Sequence, residues 1–234
     1  MTLRLHWSPD SANLVVRAAL ELFGQPYEAV RVDRSAKDHK SAGYLAKNPQ
    51  GLIPVLEDGD IVLFETGAIL WHLIEKTGRL GPDGPDASDP KARAAALKWL
   101  FYLSNTVHAD MRCAFYTHRW IAKDQIDELR DGLRQRIAGH FRLLDAQLTD
   151  GGLVGPLITL PDIYAVLSVR WMRIFPWKAP MFGNLDEYPH LLALSARIEA
   201  LPGIRAAFEA ERIDPHLALT QPAMSAYPVR EITG

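Results

Sequence analysis

Apolar positions alternate over residues 2–7, which predicts a short strand. Leu14, Val15, Ala18, Ala19, Leu22 and Phe23 then recur at helical spacing and Gly24 supplies a stop, so a helix is expected over 12–24. Residues 27–32 return to a strand pattern. A β-α-β opening favours a parallel pair joined by a right-handed crossover. Two further strands, 54–57 and 60–64, flank Asp58-Gly59, a hairpin turn signal. A helix is expected over 66–76.

The order β-α-β, a loop with room for one short helix, then β-β-α is a thioredoxin-like arrangement. Residues 77–90 are rich in Gly, Pro and Asp, the composition of a linker. Beyond them no strand pattern appears, and 90–118, 124–148, 160–173, 188–200 and 202–212 all read as helices. The expected organisation is therefore α/β followed by all-α: a thioredoxin-like domain over 1–78, a linker over 79–89, an all-helical domain over 90–213 and a C-terminal tail over 214–234. The tail has three prolines and no clear periodicity, so it is expected to wrap the surface or to move.

Composition narrows the function. The 234 residues are 48% hydrophobic and 23% charged with a net charge of −2, an ordinary globular balance that argues against a nucleic-acid partner. One cysteine, Cys113, excludes an intrachain disulfide. Its isolation on a helix fits a small buried hydrophobe. The first seven residues are too polar for a signal peptide, and no apolar run reaches the ~18 residues of a membrane span. A cytoplasmic, soluble protein is expected. The eight histidines show no H-x-x-x-H spacing, so no metal is expected.

Asn48-Pro49-Gln50-Gly51-Leu52-Ile53-Pro54 at the mouth of a strand, followed by Glu65-Thr66 at a strand-to-helix junction, carries the most specific chemistry. An Ile-Pro bond there can be cis at small cost, turning the N–H and C=O of Ile53 outward to pair with an extended peptide. The helix start beginning at Thr66 suits a carboxylate, and Glu65 suits an ammonium group. In this order of elements the segments resemble the glutathione transferase superfamily, over nearly the whole chain from Leu3 to about Phe208. The resemblance implies glutathione as co-substrate, held by Gln50, Ile53, Pro54, Glu65 and Thr66. The glycyl carboxylate would go to His39, nine residues before Asn48 as in theta-like enzymes, or to Lys40.

A free thiol has a pKa near ~8.5, so the glutathione sulfur needs a donor to become a thiolate. Transferases place Tyr, Ser or Cys after the first strand, here Trp7-Ser8-Pro9-Asp10-Ser11-Ala12-Asn13. In register with beta-type bacterial enzymes the cysteine position falls on Ala12, which rules out a mixed disulfide with glutathione there. Ser11 and, as in the nu-like type, Asn13 are left as candidate catalytic donors. The bland alternative for Ser11 is a helix N-cap.

In the helical half, Thr159 and Asp162 read as a capping-box variant with Ile158 and Ile163 as its staple, so Asp162 is expected to be structural. By resemblance to beta-like enzymes, His108 and Trp171 border the site. Asn105, His108 and Arg112 fall at i, i+3 and i+7 on one helix face, either lining an electrophile pocket or facing water. A homodimer conjugating glutathione to small-molecule electrophiles is the leading expectation. The alternatives are a non-catalytic glutathione-binding module on the same fold and a glutathione-dependent peroxidase or disulfide reductase.

Overall fold

The computed structural model describes residues 2–176, 180–182, 185–213 and 219–220. The N-terminal half contains β1 (Leu3–Trp7), α1 (Asn13–Leu22), β2 (Tyr27–Arg31), a short α2 (Ala42–Leu45), β3 (Val55–Asp58), β4 (Ile61–Phe64) and α3 (Thr66–Thr77). The sheet order is β2-β1-β3-β4. β1 runs parallel to β2, with Leu5 opposite Ala29, and antiparallel to β3, with Leu5 opposite Leu56. Leu5 and Leu56 are fully buried in the middle of the sheet. The fold is the thioredoxin-like one expected, followed by helices.

Those helices are α4 (Pro90–Tyr102), α5 (His108–Phe115), α6 (Ile126–Gln147), α7 (Leu160–Ile174), α8 (Pro189–Glu199) and α9 (Pro202–Ala210). The single helix anticipated over 90–118 runs without interruption to Phe115, with a π turn inside it. Leu103–Val107 form a wide π turn between α4 and α5, and a 3-10 turn over Thr117–Arg119 follows. At the wide turn Ser104 Oγ donates to the Leu100 carbonyl at 2.8 Å, and its side chain fills the space beside Gly67 at the start of α3. Each π turn takes up more residues than an α turn, so faces read across it at α spacing do not stay aligned. The expected tail lies outside the described residues except for Leu219 and Thr220.

One hydrophobic core runs through both halves. Helix α1 carries it: Leu14, Val15, Val16, Ala19 and Leu20 are fully buried, and α1 packs on β1, α3, α7 and α9. Gly203 lets α9 approach closely, since a Cβ there would sit 2.9 Å from the backbone nitrogen of Leu22. The Gly/Pro-rich connection is fastened in place. Leu80 is fully buried, its carbonyl accepts from Leu160 N–H at 2.8 Å, and a Cβ on Gly81 would lie 2.1 Å from the Ile158 carbonyl oxygen.

The start of α7 confirms the structural role of Asp162. Its carboxylate accepts from Thr159 N–H (2.7 Å), the Thr159 hydroxyl (2.6 Å) and Leu153 N–H (2.7 Å), entirely shielded from solvent. Burial pushes its pKa above the ordinary aspartate value against the pull of those donors. Asp162→Ala leaves three buried donors without an acceptor and is expected to cost roughly 2–4 kcal/mol, measured as a lower urea midpoint with an unchanged denaturant slope.

Candidate active site

A cavity of about 530 Å³ opens between the two halves, within the usual range for small-molecule sites. One wall is the loop before β3. Asn48 is buried and braces it: its amide donates to the Leu52 carbonyl (2.8 Å) and its side-chain oxygen accepts from Gln50 N–H (3.1 Å). The Tyr44 hydroxyl donates to the same Leu52 carbonyl at 2.7 Å. Gly51 has φ +62, and a Cβ there would meet the His39 carbonyl oxygen at 2.7 Å, so the turn admits glycine alone. The Ile53–Pro54 bond is cis. No hydrogen bond among the described residues engages the N–H or C=O of Ile53, which lines the cavity. That backbone is a short strand edge without a partner.

Next to it, Glu65 adopts φ +73 and ψ +115 at the cap of α3, a costly conformation for a residue with a side chain. Glu65 is exposed, and Gln50 Nε2 donates to its carboxylate at 3.1 Å. Thr66, 7% exposed, is the first residue of α3 and lines the cavity beside Glu65. An acid and a helix start side by side complement the ammonium and carboxylate of an α-amino acid. Gln50 itself stands outside the cavity lining and reaches the site through Glu65.

The other end of this wall is basic. His39, Lys40 and Arg34 line it. Lys40 Nζ donates to the Gln50 carbonyl at 3.3 Å, and Arg34 donates to the Tyr116 hydroxyl across the cleft at 3.3 Å. Burial, then the Lys40 and Arg34 charges, lower the pKa of His39. The shift favours the neutral ring. Its Nδ1 is buried with no partner among the described residues.

The loop between β1 and α1 holds the two candidate donors in different ways. Ser11 lines the cavity; Asn13 is fully buried and does not. The Asn13 side-chain oxygen accepts from Ser8 N–H (2.9 Å) and from the Ser11 hydroxyl (2.5 Å), while its amide donates to Glu211 at 2.5 Å. Both ends of Asn13 are thus occupied. Glu211, fully buried beyond α9, also accepts from Asp10 N–H (2.8 Å) and Arg17 Nε (3.0 Å). Burial pushes Glu211 up to about 7, with the Arg17 guanidinium pulling against it. Asp10, at φ +46, forms a buried ion pair with Arg170 at 2.6 Å and accepts from Trp171 Nε1 at 3.1 Å.

The facing wall comes from α5, α7 and the segment after α7. His108 accepts or donates at Nδ1 with the Tyr164 hydroxyl (2.8 Å) and lies 5.5 Å from the Trp171 ring. Burial and, secondarily, Arg112 lower its pKa to about 4, so it is a neutral ring. Arg112 also lines the cavity, with Phe115, Tyr116, Arg119 and Phe175. Trp171 touches the cavity from a nearly buried position. Asn105 does not reach it: the residue is exposed and lies before the end of the π turn, which breaks the i, i+3, i+7 alignment. Among the described residues no group of three metal-ligating side chains gathers anywhere, and no helix is long and apolar enough to cross a membrane.

Asp10, Arg170, Tyr164 and Glu211 were invisible to sequence reasoning. The only local signal was Arg170 beside Trp171. Glu211 lies nearly two hundred residues from the loop it supports, at the end of a helix with no motif of its own.

Two family models match, Glutathione S-transferase, N-terminal domain over residues 1–75 and Glutathione S-transferase, C-terminal domain over residues 96–202. The chain is 27% identical to a glutathione S-transferase of Hyoscyamus muticus over 217 residues, covering 89% of this chain and 99% of the relative. Among solved structures it resembles the glutathione S-transferase from Xylella fastidiosa (27% identity, TM-score 0.76, 89% of this chain and 98% of that one). It shares its fold with a glutathione transferase homologue from Sulfitobacter that was solved with glutathione bound (23% identity, TM-score 0.76, 89% and 98%). Matched in both halves, in the order in which the two halves pack around the cleft, the chain belongs to the glutathione S-transferase superfamily.

Proposed function

We propose that the protein is a glutathione transferase that conjugates the glutathione thiolate to small electrophiles. The observation that carries this reading is the unpaired Ile53 backbone at a cis-proline, set between an acid-and-helix-start pair and a basic corner. Glutathione has the complementary order of groups: an α-amino acid end, a peptide middle and a carboxylate end. Glu65 and Thr66 take the γ-glutamyl end, Ile53 pairs with the cysteinyl backbone, and His39 with Lys40 takes the glycyl carboxylate. Gln50 keeps Glu65 in place, and Pro54 keeps the Ile53 edge turned into the cleft.

Ser11 is the thiolate donor in this reading, at the entrance to α1. A hydrogen bond to the sulfur anion contributes ~1.5–3 kcal/mol and the start of α1 adds ~0.3–1 kcal/mol. Together these lower the thiol pKa by roughly one to three units, sufficient for attack at neutral pH. Asn13 does not reach the cavity; its side-chain oxygen accepts the Ser8 N–H and, in the unliganded site, the one Ser11 hydroxyl proton, which turns to the sulfur when glutathione binds. The thiolate then attacks an electrophile seated against His108, Trp171 and Phe175. An exposed Phe101 on α4 (61% exposed) supports a homodimer.

Retention on immobilised glutathione, together with turnover of a generic aryl halide, is the direct test; neither retention nor turnover would sink the proposal. Binding without turnover would favour the non-catalytic module instead. Ser11→Ala is expected to keep glutathione binding, to raise the bound thiol pKa by roughly one to two units and to lower kcat/KM at neutral pH about 10–100-fold. The ultraviolet thiolate absorbance of the complex, titrated with pH, reads the first change.

Glu211 makes a prediction about stability. Its folded pKa is raised from 4.5 to about 7, so between those values the folded protein holds a proton that the unfolded chain has lost. Its contribution to stability is full below pH 4.5 and lost as the pH rises through about 7. Glu211→Gln removes that dependence. Urea midpoints at pH 5 and pH 7 are expected to converge in the variant relative to the parent, and an unchanged difference would refute the assignment.

A further inference from the structure

The helical wall of the cleft carries two arginines that no carboxylate among the described residues neutralises. Arg112 on α5 and Arg119 in the following 3-10 turn both line the cavity. Neither forms an ion pair among the described residues; Arg119 stacks over Tyr116 at 4.4 Å and Arg112 stands free beside His108. The two carboxylates that reach the cavity are committed elsewhere. Asp10 is paired with Arg170 and Trp171, and Glu65 sits at the γ-glutamyl end beside Gln50. The glycyl carboxylate of glutathione already has Lys40 and His39. Arg119 also lies close enough to His39 to act on its charge and so borders the glycyl end; with Lys40, Arg34, Arg112 and Arg119 around it, the cleft holds more cationic groups than the one glycyl carboxylate of glutathione can pair.

Their surroundings are aromatic. The Phe115 and Phe175 rings meet at 5.5 Å, and Tyr116 lies between Arg34 and Arg119. Flat apolar walls with guanidinium groups at the rim match a planar ring bearing an anionic substituent: the ring is desolvated against the aromatics, and the carboxylate meets a planar fork of donors. Like-charged guanidinium groups on one wall also disfavour cationic second substrates.

Resting on the transferase reading above, we propose that the second substrate is an aromatic electrophile carrying a carboxylate, selected by Arg112 and Arg119. For an aryl halide of this kind the sulfur electron pair forms the C–S bond at the ring carbon that bears the halide. The halide leaves with the pair of the broken bond, and no further proton or oxidant is needed.

The test compares 4-chloro-3,5-dinitrobenzoate with its neutral primary amide, each rate divided by the uncatalysed reaction with glutathione. The carboxylate is expected to show a kcat/KM advantage of about tenfold or more, shrinking to under about threefold in the Arg112→Gln/Arg119→Gln double variant. The advantage is also expected to weaken with added salt. Equal turnover of the two compounds, or a preference that survives both substitutions, would overturn the proposal. So would a variant whose change lies wholly in KM for glutathione, because the arginines would then belong to the glycyl end. Calorimetric titration of the two S-aryl glutathione conjugates separates this proposal from its premise. If neither halide is turned over, tighter binding of the carboxylate conjugate, lost in the double variant, upholds the anion site and refutes only the transferase reading. Equal binding of the conjugates refutes the anion site.

Discussion

Arg170 and Glu211 are ionisable groups shut completely away from solvent, and the architecture depends on how they are satisfied. Both belong to the helical half, and both find their partners on the β1–α1 segment of the other half: Arg170 on Asp10, Glu211 on Arg17, Asn13 and the Asp10 backbone. Removing one partner of a buried ion pair leaves a charge with no compensation and typically costs about 3–5 kcal/mol. The two pairs run in opposite directions across the seam, acid to base and base to acid. The halves are therefore joined by the buried Asp10–Arg170 ion pair and by the hydrogen bonds to Glu211, at the point where α1 already ties their shared core together.

That lock falls on the segment that carries Ser11. Asp10 is held at a left-handed backbone angle by its two partners, and Asn13 is held at both ends of its amide. Ser11 lies between two residues that cannot move independently of the helical domain. In the role proposed for Ser11, a hydroxyl is effective only if its position is fixed before the sulfur arrives. The alanine at position 12 fits the same logic: with no cysteine there, Ser11 is the hydroxyl of the turn that lines the cavity, and its neighbours are immobilised.

The two walls of the cleft are made of different materials. The N-terminal wall uses main-chain groups at Ile53, the start of α3 and a strained Glu65, features set by backbone geometry and tolerant of little change. The helical wall uses side chains on α5, α7 and the segment after them. Backbone recognition suits a ligand that never varies, and side-chain recognition suits one that differs between proteins of the same fold. The arginines and aromatics of the second wall are therefore where this chain's individuality lies.

Much of the fold was legible along the chain because it rests on local rules. Alternation in 2–7, the Asp58-Gly59 turn, the stop at Gly24 and the Thr159–Asp162 cap each involve residues within a few positions of one another. The same holds for the bend at Ile53–Pro54 and the acid at Glu65 before a helix start. The π turn between α4 and α5 is not legible, because the periodicity continues through it while its geometry does not, and Asn105 stands off the face that lines the cavity. The roles of Ser11 and Asn13 were left open for a different reason. What separates a hydroxyl at the cleft from an amide locked behind it is Glu211, whose place beneath the loop follows from how α9 packs on α1. By itself the sequence determined the order of elements and the groups that can face a γ-glutamyl peptide, since those are short-range consequences of backbone chemistry. Only the tertiary structure decided which side chains at the seam are buried, paired and aimed, because the cost of burying a charge depends on what the rest of the chain brings to it.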